Sequence, residues 1–380
     1  MTVITCIEDL RALHRRRAPR AFYDYVDAGS YTEGTYRANS ADLAALKLRQ
    51  RVAVDVDVRS TASTMLGQAV TMPAALAPVG STGMQWADGE ILAARAAEAF
   101  GVPFTLSTMS ICSIEDVAAH TTRPFWFQLY VMRDRDFVKR LIGRAKAAKC
   151  SALMLTLDLQ ILGQRHKDLK NGLTVPPKIT FANAFDLLTK PGWALRMLGT
   201  RRRSFGNLAG HVKDARGIIA LSRWTAAQFD PTLDWEDVAW VKNEWGGKLI
   251  LKGIQDVEDA KTAVSVGADA IVVSNHGGRQ LDGAISSIRA LPPIVDAVGD
   301  KTEVWMDGGI RSGQDLIKAL ALGARGTLIG RAFSFGLGAM GEAGVTAALE
   351  IIQRELDTTM ALCGVRSIAE IGRKHVLNPY

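Results

Sequence analysis

Eight short apolar runs, each closing on a polar or glycine residue, constrain this chain more than any other feature. They occupy residues 72–77, 102–106, 125–129, 152–157, 248–251, 269–273, 302–306 and 326–329. Their aliphatic and β-branched content marks strands buried on both faces. Helical stretches separate most of them. Residues 88–100 are Ala-rich and end on Gly101, while 134–149, 256–266 and 312–322 carry apolar residues at helical spacing. Ser113-Ile114-Glu115-Asp116 has the form of a capping box, and Gly267 and Gly323 stand where helix C′ glycines belong. Strand–helix repetition over 380 residues predicts an α/β chain folded as a (β/α)8 barrel. An N-terminal helical extension precedes the barrel, and a long excursion separates strands four and five. A doubly wound sheet is the alternative. It would place a glycine-rich phosphate turn after the first strand, and Pro78-Val79-Gly80-Ser81-Thr82-Gly83 does not fit that fingerprint. The expected organisation is a single domain over 1–380, with residues 159–247 containing a mobile or membrane-contacting excursion.

Barrel chemistry gathers at the C-terminal ends of the strands. Those ends carry Pro78-Val79-Gly80, Ser107-Thr108, Gln128 and Tyr130, Thr156 and Asp158, and Lys252. Ser274 and His276, Asp307-Gly308-Gly309 and Gly330-Arg331 complete the set. A purely structural barrel does not need polar groups at nearly every strand end. The sixth run leads into Ser274-Asn275-His276-Gly277-Gly278-Arg279-Gln280-Leu281-Asp282-Gly283. A base and a guanidinium at one mouth of a sheet suit an acidic substrate and a proton that must move. His276 alone among the six histidines stands at a predicted strand end; His120, His166 and the rest are expected on the surface or in helices. Gly308-Gly309-Ile310-Arg311-Ser312-Gly313 and Gly330-Arg331 follow strands seven and eight, the usual phosphate corner of such barrels. Glycine-exposed N–H groups and two arginines suit a phosphate dianion.

The net charge of +7 and the pI of about 9.3 favour anionic partners. The basic residues are scattered, apart from Arg15-Arg16-Arg17 and Arg201-Arg202-Arg203, and no nucleic-acid module is visible. Cys6, Cys112, Cys150 and Cys363 form no C-x-x-C pair, so neither a metal site nor a disulfide framework is expected. No apolar h-region follows the first arginine triplet, and no run reaches membrane-spanning length. The expected location is the cytoplasm, with peripheral contact at the inner face of the cell membrane. Gly336-Leu337-Gly338-Ala339-Met340-Gly341 matches a dinucleotide fingerprint but follows the last strand, so a glycine-rich turn packing the C-terminal helices is expected.

Together these residues resemble the FMN-dependent L-2-hydroxy-acid dehydrogenases and oxidases. That family includes glycolate oxidase, flavin-linked L-lactate dehydrogenase and (S)-mandelate dehydrogenase. The likeness runs from about Phe22 to the C-terminal helices. It rests on the 274–283 decapeptide, and jointly on Phe127-Gln128-Leu129-Tyr130, Asp307-Gly308-Gly309-Ile310-Arg311 and Gly330-Arg331. The stretch from Ala77-Pro78-Val79-Gly80 through Phe104-Thr105-Leu106-Ser107-Thr108, with Phe229-Asp230-Pro231, looks most like the bacterial L-lactate dehydrogenase branch. The resemblance implies FMN as cofactor and a 2-hydroxy acid as substrate. It implies His276 as base, Asp158 as the partner of its imidazole, and Arg279 and Arg165, helped by Tyr25, as the carboxylate clamp. Tyr130 would contact the substrate hydroxyl. Ser107, Gln128 and Thr156 would bind the isoalloxazine ring beside the backbone of Pro78, Val79 and Gly80. Lys252 would sit near the flavin N1/O2 edge. Arg311 and Arg331 would hold the phosphate and Asp307 the ribityl chain, with Ser274, Gly309 and Gly330 counted in the same site. The chemistry is coherent on its own terms: a near-neutral imidazole is a competent base, arginine orients a carboxylate bidentately, and flavin takes the electrons that no side chain can.

Two positions refine the expectation within the family. Many of its oxidases carry alanine near flavin N5 where this chain has Gly80, which implies quinone or another non-oxygen acceptor. Glycolate oxidases carry tryptophan where this chain has Met109, an adaptable thioether wall. Lactate fits such a wall, and bulkier aryl or alkyl hydroxy acids stay open. The expected reaction is oxidation of L-lactate to pyruvate. A peroxide-forming oxidase and an (S)-mandelate-type dehydrogenase are the enzyme alternatives, and a non-catalytic flavin-binding scaffold is the alternative outside enzymes. The family also implies a homotetramer. Within the excursion, residues 190–203 interleave Trp, Leu and Met with basic residues, like an interfacial membrane contact. A solvated lid or a subunit contact is the competing expectation.

Overall fold

The computed structural model describes residues 3–173, 181–212 and 217–378. Segments 174–180 and 213–216 of the expected 159–247 excursion lie outside the described residues. Eight parallel strands form one sheet: β1 (Ala74–Leu76), β2 (Thr105–Ser107), β3 (Trp126–Leu129), β4 (Ala152–Thr156), β5 (Lys248–Ile254), β6 (Ala270–Val273), β7 (Glu303–Met306) and β8 (Gly326–Ile329). Pairing follows chain order from β2 to β8, and β8 returns to β1. A parallel bridge between Leu76 and Phe104 closes the ring. The fold is the expected (β/α)8 barrel, each apolar run holding one strand with its ends slightly shifted.

The strand bodies are almost wholly buried because helices cover the outer face and side chains fill the inner one. Inside, Trp126 and Trp305 stack at 5.2 Å with 7° between their planes, packed among Met65, Met154 and Val272. An antiparallel hairpin, Ser63–Met65 with Gln68–Val70, floors the barrel. Its Leu66-Gly67 turn holds both residues at positive φ, and Leu66 N donates to the Glu303 carboxylate at the start of β7.

The N-terminal extension contributes helices Ile7–Arg17, Arg20–Val26 and Gly34–Ala45. The Ser113–Asp116 capping box forms and opens helix Ile114–Ala118. The expected turn at 336–341 is corrected: Gly336 and Gly338 lie inside helix Arg331–Met340. A Cβ on Gly336 would strike the Gly344 backbone, and one on Gly338 would strike the His14 ring. The glycines therefore serve close helix approach, and Gly341 makes the turn that follows.

The excursion holds helices His166–Lys170, Phe181–Leu188, Pro191–Gly199, Gly217–Gln228 and Trp235–Trp245. Its basic amphipathic run divides. Trp193 and Met197 turn inward, whereas Leu195 is 70% and Leu198 69% exposed. Among the described residues no helix is long and apolar enough to cross a membrane.

Candidate active site

A cavity of about 780 Å³ opens at the C-terminal mouth of the barrel. Every candidate residue named from the sequence lines it except Gln128, Thr156, Asp158 and Ser274. Those four are buried or nearly so and stand behind the wall, where three of them bond to residues that do line it.

The candidate base site is built by three strand ends. His276 follows β6 with φ at +58°, a left-handed conformation that is costly for a residue with a side chain. Its backbone N donates to Ser274 Oγ (3.0 Å) and its Nδ1 lies 2.9 Å from Asp158 Oδ1. Burial alone would raise the Asp158 carboxyl, but the charge and hydrogen bond of His276, then the Lys252 charge, hold it below the usual carboxylate range. Nδ1–H therefore donates to an ionised Asp158, and Nε2 is left for the cavity. A bulge in β5 makes room for this pair. Gly253 sits there at φ +101°, and a Cβ on it would lie 2.7 Å from Asp158 Cγ. Burial, then the Asp158 charge, push the Tyr130 phenol up, so it stays a hydrogen-bond donor.

Two arginines face the cavity beside this base. The Arg279 guanidinium lies 4.8 Å from the centroid of the Tyr25 ring and Arg165 lies 5.9 Å from it. Arg165 Nε is held by Asp168 Oδ2 at 2.6 Å. Arg279 instead donates to backbone carbonyls, of Tyr25 at 2.5 Å and Ala28 at 3.3 Å. Burial and the neighbouring Arg165 charge lower its pKa, so an anion beside Arg279 would relieve it.

The opposite end carries the fit to a cofactor. Arg331 is buried there and Arg311 is half-buried, and burial and then the Arg311 charge push Arg331 down to about 9. Arg311 donates to Ile310 O, and Arg331 to the carbonyls of Val26, Gly277 and Ala28. Two like charges that, among the described residues, hydrogen-bond only neutral carbonyls suit a phosphate dianion. Gly308 and Gly309 hold φ at +95° and +93°, and a Cβ on Gly309 would meet Asn39 O at 2.6 Å. Along the floor, Lys252 Nζ bonds Ser274 Oγ (2.7 Å) and Asp307 Oδ2 (2.9 Å). Gln128 Oε1 accepts from Ser107 Oγ at 3.1 Å. Gln128 Nε2, Thr156 Oγ1 and Asp307 Oδ1 are buried with no partner among the described residues. Such orphaned groups suit a polar ring edge and a hydroxylated chain.

Sequence reasoning missed Asp168, for which an i,i+3 spacing from Arg165 was the available signal. It also missed the apolar part of the cavity, where Phe22, Met84, Trp193, Phe205 and Phe229 stand. Trp193 stacks on Phe22 at 5.3 Å and donates from Nε1 to Met84 O. These residues come from distant parts of the chain, and no local pattern links them.

Comparison with known proteins bears on the same site. Residues 14–378 match the model of the FMN-dependent dehydrogenase family. The chain is 48% identical to the L-lactate dehydrogenase of Caulobacter vibrioides over 97% of this chain and 96% of that protein. It is 46% identical to the L-lactate dehydrogenase of Pseudomonas syringae over 97% of each. The structure of the monotopic membrane protein (S)-mandelate dehydrogenase superposes with a TM-score of 0.95 at 34% identity, covering 99% of this chain and 100% of that one. The chain belongs to the FMN-dependent dehydrogenase family, and its cofactor is FMN.

Proposed function

We propose that this protein oxidises L-lactate to pyruvate within a single FMN-binding barrel domain. The observation that carries the reading is the His276–Asp158 pair beside Arg279, whose guanidinium has no carboxylate partner among the described residues. Arg279 and Arg165 bind the substrate carboxylate, and the Tyr25 ring packs against both guanidiniums. The clamp fixes the substrate carbon relative to His276 Nε2. Tyr130 donates to the substrate hydroxyl. His276 Nε2 takes up the hydroxyl proton, and ionised Asp158 stabilises the resulting imidazolium. FMN, when bound, would accept the substrate Cα hydrogen together with its electron pair, as a hydride. Arg311, Arg331 and the backbone at Gly309 and Gly330 would hold its phosphate, and Asp307 would bind the ribityl chain. Ser107, Gln128 and Thr156, the 78–80 backbone, and Lys252 with Ser274 would hold its ring. The L-lactate assignment draws support from relatives of that name at 46–48% identity. An aryl 2-hydroxy acid is the second reading, favoured by the apolar walls at Phe22, Trp193 and Phe229.

The acceptor is a quinone or another non-oxygen acceptor, on the resemblance carried by Gly80. The assembly is a homotetramer, on the family resemblance alone. Peripheral membrane contact is supported by Phe185 (71% exposed), Leu188 (79%), Leu195 and Leu198 beside Lys190 and Arg196. Pyruvate formation from L-lactate with a soluble quinone, set against oxygen uptake, tests the reaction and its acceptor together. Oxygen uptake matching pyruvate formation would make the protein an oxidase. Replacing Leu188, Leu195 and Leu198 with serine should release it from anionic vesicles; unchanged co-sedimentation would sink the membrane contact.

A further inference from the structure

Two arginines with separate tasks hang from one backbone turn. Residues 25–28 close helix Arg20–Val26. Arg331 donates from Nε to Val26 O (2.9 Å), from Nη2 to Ala28 O (2.7 Å) and from Nη1 to Gly277 O (2.9 Å). Arg279 donates from Nη1 to Tyr25 O and Ala28 O. The Ala28 carbonyl thus receives one guanidinium from the phosphate end of the cavity and one from the substrate end. Neutral carbonyls orient both groups without neutralising them, which leaves each charge for an anion.

Asp27 pins this turn. Its carboxylate is buried and accepts from Arg11 Nε (3.0 Å), Arg11 Nη2 (2.7 Å), Tyr23 OH (2.7 Å) and Tyr36 OH (2.8 Å). The donors come from all three helices of the N-terminal extension. Burial alone would raise the Asp27 carboxyl, yet the bonds from Tyr23 and Arg11 keep it low and charged. The Tyr36 ring in turn supports Arg331, whose guanidinium carbon lies 4.4 Å from the ring centroid. Asp27 does not line the cavity, so any effect it has on ligands passes through these neighbours.

We propose that Asp27 is a positioning residue that couples cofactor-phosphate binding at Arg331 to substrate-carboxylate binding at Arg279 through the shared 25–28 turn. The inference rests on the phosphate and carboxylate assignments made above. Both anions favour the same placement of one turn, so loosening the pin weakens both sites. Asp27→Asn keeps the size of the side chain and removes the charge that Arg11 and the two phenols address. Tyr36→Phe removes a single donor and leaves the Arg11 pair intact.

The test titrates apoprotein with FMN and with riboflavin, which lacks the phosphate, by quenching of flavin fluorescence. FMN-saturated enzyme is then assayed for KM and kcat. D27N should cut the preference for FMN over riboflavin about tenfold and raise KM about tenfold, with kcat changed by less than about threefold. Y36F should move the same two quantities by about threefold. Either quantity remaining at its wild-type value in both variants overturns the proposal, as does a loss confined to thermal stability. If D27N does not fold, Y36F decides by the same two quantities. Equal affinity of wild-type apoprotein for FMN and riboflavin would instead remove the Arg331–phosphate assignment, and the proposal with it.

Discussion

The His276 imidazole and the Asp158 carboxylate, 118 residues apart in sequence, meet at 2.9 Å between Nδ1 and Oδ1. The contact fixes the ring tautomer and leaves Nε2 as the one nitrogen able to receive a proton from the cavity. Asp158→Asn should therefore lower kcat by about 10²–10⁴-fold while FMN stays bound. His276→Gln should keep the flavin spectrum and lose reduction by substrate. Stopped-flow spectra of both variants check this, and near-wild-type reduction in either would contradict it.

Arg279 presents a fork that lysine cannot reproduce. Arg279→Lys should raise KM for the 2-hydroxy acid by about 10–100-fold, because a single ammonium cannot replace a bidentate, carbonyl-anchored guanidinium. Steady-state kinetics at saturating FMN would show it. A KM within twofold of wild type, about the scatter such measurements carry, would remove Arg279 from the clamp.

Arg311 shares the proposed phosphate corner with Arg331 and lowers its pKa by like charge. Arg311→Gln should weaken FMN binding by about 10–100-fold and leave riboflavin binding nearly unchanged. Fluorescence titration of the apoprotein with each flavin separates the two. Equal losses for both would show that Arg311 acts on the ring or the fold.

Much of this architecture was legible because parallel barrel strands impose a strong local pattern. Buried apolar bodies ending in Asp158, Lys252, His276 or Asp307 announce both the strand and the side of the barrel that carries chemistry. The decapeptide around His276 is legible because its glycines at 277 and 278 hold positive φ, which side chains rarely adopt, next to the proposed base. What escaped depends on contacts between distant segments. Asp27 and Tyr36 look like ordinary helix-end and helix-face residues until Arg331 bonds the carbonyls on either side of Asp27 and packs against the Tyr36 ring. The floor hairpin was hidden because Leu66, not Asn or Asp, occupies its first turn position. Gly336 and Gly338 resembled a turn because glycine serves loops and close helix crossings alike.

His14 offers a test of the extension that is independent of catalysis. Its Nε2 lies 2.9 Å from Gln85 Oε1, while Gln85 Nε2 donates to Phe22 O at 3.0 Å, so the ring is neutral with its proton on Nε2. Burial, opposed by the Gln85 bond, pushes its pKa down from 6.5 to about 4. The unfolded chain binds a proton as pH falls below 6.5, and the folded chain does so only near 4. Stability from this site is therefore full above pH 6.5 and declines as pH falls towards 4, by roughly 3 kcal/mol in all. Urea unfolding of wild type and His14→Gln between pH 7 and 4.5 should give the wild type the steeper decline. Parallel curves would contradict the buried neutral ring.

Anaerobic mixing of the FMN-loaded protein with L-lactate, D-lactate, glycolate and (S)-mandelate, followed at the flavin absorption band, tests the central claim most directly. The account predicts bleaching by L-lactate, none by D-lactate, and none by any of the four in His276→Gln. A flavin band that L-lactate leaves unchanged would contradict it, whatever glycolate or (S)-mandelate does.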